Sequence, residues 1–174
     1  WNRPKEEVDA LMDLLLEFLQ NAEKELAGTN IRISVIGDTS RLSEEIRKEI
    51  KRVVDNTAAN TGLNLIIALN YGSRCEIAAA AARMARDVKE GRLDPESIDE
   101  KTFSDYLYTA GIPDPDLVIR PSGEYRLSNF LLWQSSYSEL WFSDVLWPDF
   151  TKEHLYQAIR DYQNRNRRFG GLQK

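Results

Sequence analysis

Ten consecutive residues, Arg120-Pro121-Ser122-Gly123-Glu124-Tyr125-Arg126-Leu127-Ser128-Asn129, gather two guanidiniums, two serine hydroxyls and a glycine into one polar stretch. Arginine offers a planar fork of donors that matches phosphate oxygens. Gly123 lets backbone approach a ligand closely. Ser128 and Asn129 lie where a following helix would present free amides to an anion. Together these residues compose a phosphate or diphosphate cradle. A surface turn, with its arginines paired to Glu124 and Asp116, has the same composition. Further along, Glu139 offers a carboxylate for Mg2+, an ion that prefers oxygen ligands and usually keeps substrate phosphates in its shell. A solvated surface glutamate reads the same way.

Other stretches carry weaker signals. Asn70-Tyr71-Gly72-Ser73-Arg74 is a polar loop with a glycine, and a turn followed by a helix cap accounts for it. Gly37-Asp38-Thr39 lacks both a dinucleotide fingerprint and a P-loop lysine. Trp1 and Arg3 pair an aromatic with a cation just ahead of the first helix, able to meet a ligand or to cover a sheet edge. His154, the single histidine, falls early in a helix and reads as a surface residue. Arg165, Arg167 and Arg168 complement the dipole at that helix's C-terminus.

The elements that must position these residues alternate between helix and strand. Pro4 opens a helix whose apolar stripe runs from Val8 to Leu26, with Gly28 as its stop. Ile31, Ile33 and Val35 alternate with polar residues and predict a strand ending at Gly37. Ser43 caps a second helix with Ile46, Ile50, Val53 and Val54 on its apolar face. A buried strand follows over 63–69, then an alanine-rich helix over 75–88 stopped by Gly91. Asp99 caps a short helix through Tyr108. A brief strand over 116–120, a polar turn over 122–128, an apolar helix starting at Phe130, a last strand over 140–142 and a helix capped by Thr151 and ended by Gly170-Gly171 complete the chain. This order predicts an α/β fold, a mostly parallel sheet flanked by helices, in a single domain over residues 1–174. Such sheets bind ligands beyond the carboxyl ends of their strands, which directs attention to the loops after Gly37, Leu69 and Ile119.

Composition narrows the alternatives. With 174 residues, 42% of them hydrophobic, the chain can bury a core without staples. A net charge of −5 argues against a general nucleic-acid binder. The longest apolar run, Ile77 to Ala82, is too short for a transmembrane helix. A single cysteine, Cys75, excludes an internal disulfide framework and a cysteine-rich zinc site, and fits a reducing, cytoplasmic setting. The chain starts at Trp1 without an initiator methionine and with a loop leading into a helix, which raises the expectation of upstream sequence.

Taken together, these motifs resemble the cis-prenyltransferases, and most closely bacterial undecaprenyl diphosphate synthases. The resemblance spans essentially the whole chain. It rests on Trp1-Asn2-Arg3-Pro4, Ile36-Gly37-Asp38, Asn70 to Arg74, Asp116 to Arg120, Arg126 to Gln134, Glu139, Leu146 to Phe150 and Arg167 to Gly171. It implies condensation of isopentenyl diphosphate with an allylic prenyl diphosphate such as farnesyl diphosphate, giving a long cis-polyprenyl diphosphate such as undecaprenyl diphosphate. By resemblance, Arg120, Arg126 and Ser128 hold isopentenyl diphosphate, with Glu124 and Leu127 beside them. Glu139 is associated with Mg2+, and Trp1 and Arg3 border the allylic substrate. The growing chain occupies an apolar tunnel between the sheet and the first helix, with Leu63 near its floor.

Also implied are a homodimer, with the Gly170-Gly171 tail reaching the partner's site, and peripheral membrane contact through the product. Two departures stand out. Pro121 replaces a usual threonine, removing a hydroxyl and a backbone donor. The family's Asp-Gly-Asn motif, which supplies a catalytic aspartate, and an asparagine that would precede Trp1 are absent from the 174 residues. These residues alone are therefore expected not to turn over. A non-catalytic partner subunit of a prenyltransferase complex and a generic phosphate-binding α/β module are the rival readings.

Overall fold

The computed structural model describes residues 1–166. It is an α/β protein whose strands pair in parallel, and it divides into two compact units, Trp1–Tyr71 and Gly72–Lys174. Arg167, Arg168, Gly170 and Gly171 lie outside the described residues.

In the first unit, helix α1 (Lys5–Glu25) follows Pro4, and Leu19 and Ala22 from its apolar stripe are fully buried. Strand β1 (Arg32–Ile36) pairs in parallel with β2 (Asn64–Ala68), Ile33 opposite Leu65 and Val35 opposite Ile67. Helix α2 (Glu44–Thr57) connects them. Its Ser43 cap accepts a hydrogen bond from the Ile46 amide at 3.2 Å, as the sequence predicts. Leu19, Ala22, Ile33, Leu42, Ile46 and Val53 form the core, and Leu65, Ile67 and Leu69 pack against it. Gly37 ends β1 at a φ of +110°, and a Cβ there would stand 2.1 Å from the Leu69 carbonyl oxygen. Only glycine allows the loops after β1 and β2 to approach this closely.

The second unit begins with α3 (Ser73–Lys89), two residues ahead of the predicted start. Ser73, Glu76, Ala80 and Met84 make its buried stripe. Helix α4 (Glu100–Ser104) is capped by Asp99 but stops short of Tyr108. Strand β3 (Leu117–Arg120) pairs in parallel with β4 (Glu139–Phe142), and α5 (Lys152–Gln163) packs on β4. His154 Nδ1 accepts a hydrogen bond from the Thr151 amide at 3.0 Å and closes a capping box, a structural role in line with its sequence reading.

A larger expectation fails. No helix starts at Phe130, and residues 129–137 form a series of turns. Asn129 and Leu131 hold left-handed backbone, φ +63° and +48°, and the Leu132 amide donates to the Ser73 hydroxyl instead of to a helical carbonyl. The argument that Ser128 and Asn129 present helix amides to an anion falls with it.

The surface of α3 carries a pH-sensitive contact. The Tyr106 hydroxyl donates to Asp87 at 2.6 Å, and Arg92 pairs with the same carboxylate. These donors, the Tyr106 hydroxyl foremost, hold Asp87 below the usual aspartate range. A depressed folded pKa gives stability that is complete above the unfolded value, near pH 4, and lost as the pH falls through the folded value. Asp87→Asn should therefore shrink the loss of thermal stability on acidification below about pH 4. Melting curves from neutral to acidic pH check this, and superimposable profiles for the variant and the parent would contradict it.

Candidate functional site

Strand β3 delivers Arg120 at its carboxyl end, where ligands gather in parallel sheets. The turn that follows is tied to the segment beyond β4. The Ser122 amide donates to the Val145 carbonyl at 2.8 Å and the Gly123 amide to the Ser143 carbonyl at 2.9 Å. The Trp147 amide donates to the Ser122 hydroxyl at 3.3 Å. The Tyr125 ring packs on Phe142 with centroids 5.1 Å apart. Pro121, the departure from the family pattern, is buried in this turn.

Arg120 and Arg126 line one cavity of about 480 Å³ with Pro121, Leu127, Phe130 and Trp147. Its walls are mainly apolar, and the two guanidiniums are its only charged groups among the described residues. Arg126 pairs with Glu124 and is otherwise exposed. Arg120 is half-buried and has no carboxylate partner among the described residues. A guanidinium without a carboxylate partner in a partly apolar cavity can attract an anion, because desolvation strengthens its pull on a matching charge. Arg120, Arg126 and Leu127 are thus brought together as the sequence anticipates. Ser128 is exposed, with φ +49°, one residue beyond the cavity wall. Of the surface-turn alternative, the Arg126–Glu124 pairing is realised.

Glu139 lies apart from this cluster. It opens β4 opposite Leu117, whereas Arg120 stands opposite Phe142. Its Cα is therefore about 10 Å back along the strands from the arginine end, at some 3.3 Å per residue. Its carboxylate accepts from Arg165 Nη1 at 2.7 Å. Among the described residues no group of three or more histidine, cysteine or acidic side chains could hold a metal.

The first unit has a cavity of its own, about 210 Å³, lined by Leu11, Leu15 and Leu69, with Trp1, Arg3 and Asn70 among its polar or aromatic edges. The Trp1 indole donates to Asn70 Oδ1 at 2.6 Å, and Asn70 Nδ2 donates to the Asp38 carbonyl at 2.8 Å. Arg41 lies over the Trp1 ring, 4.5 Å from its centroid. Arg3 pairs with Glu7 along α1. Asp38 accepts from Ser40, whose hydroxyl and amide hold its carboxyl below the usual range. The sequence pointed to Trp1, Arg3 and the Asn70 loop, but it missed Arg41 and ranked Gly37-Asp38-Thr39 lowest. Their signal was positional: both loops leave the carboxyl ends of paired strands. Leu63 precedes β2 and is 65% exposed, an apolar side chain without burial in its own unit.

Comparison with known proteins matches this architecture. A prenyltransferase family model described as "Putative undecaprenyl diphosphate synthase" matches residues 1–170. An isoprenyl transferase of Clostridium tetani is 53% identical over 172 residues, 99% of this chain and 68% of that protein. One of Geobacillus kaustophilus is 55% identical over 172 residues, 99% of this chain and 67% of that protein. Among solved structures, lavandulyl diphosphate synthase from Lavandula x intermedia, in complex with dimethylallyl diphosphate, superposes with a TM-score of 0.94 at 43% identity. That match covers 98% of this chain and 74% of the other. A "probable undecaprenyl diphosphate synthase" from Campylobacter jejuni gives a TM-score of 0.86 at 38% identity, covering 98% of this chain and 78% of the other. No helix among the described residues is long and apolar enough to cross a membrane. On a family match that spans nearly every residue, and on relatives more than half identical to it, the chain belongs to the undecaprenyl diphosphate synthase family of prenyl-group transferases.

Proposed function

We propose that the Arg120–Ser128 loop binds isopentenyl diphosphate for cis-prenyl transfer to an allylic diphosphate such as farnesyl diphosphate, on the way to a long product such as undecaprenyl diphosphate. The observation that carries this reading is the half-buried, unpaired Arg120 sharing a largely apolar cavity with Arg126. Two guanidiniums suit a diphosphate, and the apolar wall of Leu127 and Phe130 suits a five-carbon isoprenyl group. Holding that group in place aligns it for attack, which can lower a barrier by several kcal/mol. On the allylic side, Trp1, Arg3 and the apolar wall of α1 border a cavity fit for a prenyl tail. The dimethylallyl diphosphate named for the lavender relative is a ligand of that class. A homodimer in the cytoplasm, touching the membrane through its product, is part of the same reading.

Mg2+ would supply charge stabilisation for departing diphosphate. The residues described here account for diphosphate binding through arginine.

Labelled isopentenyl diphosphate should be retained by the chain and displaced by pyrophosphate far better than by inorganic phosphate. Equal displacement by both would favour a generic phosphate module. In a longer, active chain carrying these residues, a bulkier or smaller residue at Leu63 should shift product length. An unaltered product spectrum would remove Leu63 from the tunnel floor.

A further inference from the structure

Helix α3 begins after Gly72, which has no side chain to cap it. Its first amides nonetheless have acceptors, and both come from one distant residue. The Ser73 amide donates to the Asn129 carbonyl at 2.8 Å, and the Arg74 amide donates to Asn129 Oδ1 at 2.9 Å. In return, the Leu132 amide donates to the Ser73 hydroxyl at 3.1 Å. The absence of a side chain at Gly72 is part of the fit, since a Cβ there would stand 2.8 Å from Asn129 Nδ2. Asn129 thus caps α3 from outside, satisfying amides that a helix start otherwise leaves unpaired. The residue type also suits its backbone. Asn129 holds φ +63°, a left-handed conformation that asparagine tolerates better than most residues.

The diphosphate loop is therefore strung between two anchors. Its start, at Ser122 and Gly123, is bonded to the segment beyond β4. Its end, at Asn129, is bonded to the first turn of α3. Arg126, Leu127 and Ser128 span the interval. We infer that Asn129 is a positioning residue for isopentenyl diphosphate binding. Its side-chain oxygen fixes the end of the loop on α3, and through it the place of Arg126 and Ser128. Asn129 does not touch the diphosphate, and the α3 amides it occupies are not available as an anion site. This inference rests on the reading of the Arg120–Ser128 loop given above.

Two substitutions separate the side-chain link from the backbone. Asn129→Gly keeps the left-handed conformation accessible but removes the acceptor. Asn129→Asp retains an acceptor oxygen for the Arg74 amide. Calorimetric titration with isopentenyl diphosphate should show about tenfold weaker binding for Asn129→Gly, the scale of one lost hydrogen bond. Asn129→Asp should stay within about threefold of the parent chain, since a carboxylate is welcome at a helix N-terminus. Amide hydrogen exchange over residues 126–132 should quicken in Asn129→Gly and not in Asn129→Asp. Gly72→Ala, which crowds Asn129 from the other side, should weaken binding in the same direction. A lower melting temperature for Asn129→Gly with unchanged affinity would overturn the inference and leave Asn129 a helix cap only. Equal weakening by Gly and Asp would also overturn it. Absence of isopentenyl diphosphate binding by the parent chain would instead sink the functional reading, and this inference with it.

Discussion

Arg126→Ala should weaken isopentenyl diphosphate binding by about 1.5–3 kcal/mol, roughly 10- to 150-fold in Kd, the range for hydrogen bonds to charged groups. Arg126 pairs with Glu124 on the surface, and exposed ion pairs add little to stability. The melting temperature should therefore hardly move while affinity falls. Arg126→Lys keeps the charge but loses the planar fork, so it should recover only part of the affinity. Arg120→Ala should cost at least as much, because Arg120 is the more buried of the pair. Titration calorimetry beside thermal melts separates the two effects. Unchanged affinity in Arg126→Ala would remove the loop from the binding site, and a large fall in stability would mean that the Glu124 pairing is structural.

The second large effect is on stability. Glu76 is 1% exposed, yet it is a carboxylate. Its oxygens accept from the Tyr108 amide at 2.7 Å and from Gln134 Nε2 at 3.2 Å, and Gln134 also donates to Thr109. One side chain thus ties α3 to the turn after α4 and to the turns that follow the Arg120–Ser128 loop. Glu76→Ala leaves buried donors unpaired and opens a cavity, at a cost of about 3 kcal/mol or more. Glu76→Gln retains one acceptor oxygen and should lose markedly less. Urea unfolding of both variants checks the order. Equal destabilisation would mean that the carboxylate's charge is what matters, and no destabilisation by Ala would mean that the network is dispensable.

Much of this architecture is legible in residue types because local signals agree with tertiary burial. The stripe of α1, the alternation of β1 and the Ser43 cap of α2 are each stated by spacing and each present. Arg120, Arg126 and Leu127 were legible as a set because β3 ends where the arginines begin. The turns from 129 to 137 were not. Phe130, Leu131, Leu132 and Trp133 carry the hydropathy of a helix, but the Leu132 amide is claimed by the distant Ser73 hydroxyl, and Leu131 holds left-handed backbone. No local pattern records a bond across 59 residues. Glu76 was hidden for a related reason. An acidic residue in a helix's first turn ordinarily serves the dipole in solvent. Its spacing with Ser73, Ala80 and Met84 marks the buried face, and that stripe was the available clue. Glu139 shows the opposite limit. Resemblance links it to Mg2+, but only strand register reveals that it sits at the far end of β4 from the arginines.

The most direct test of the binding site is a map of amide chemical shifts during titration of the 20.0 kDa chain with isopentenyl diphosphate. The arrangement of Arg120, Arg126 and Leu127 around one cavity predicts saturable shifts concentrated at residues 120 and 126–128, with weaker ones at Asn129 and the first turn of α3. Shifts confined elsewhere, such as the Arg83, Arg86 and Arg92 cluster beside Tyr106, would contradict the assignment of isopentenyl diphosphate to this loop.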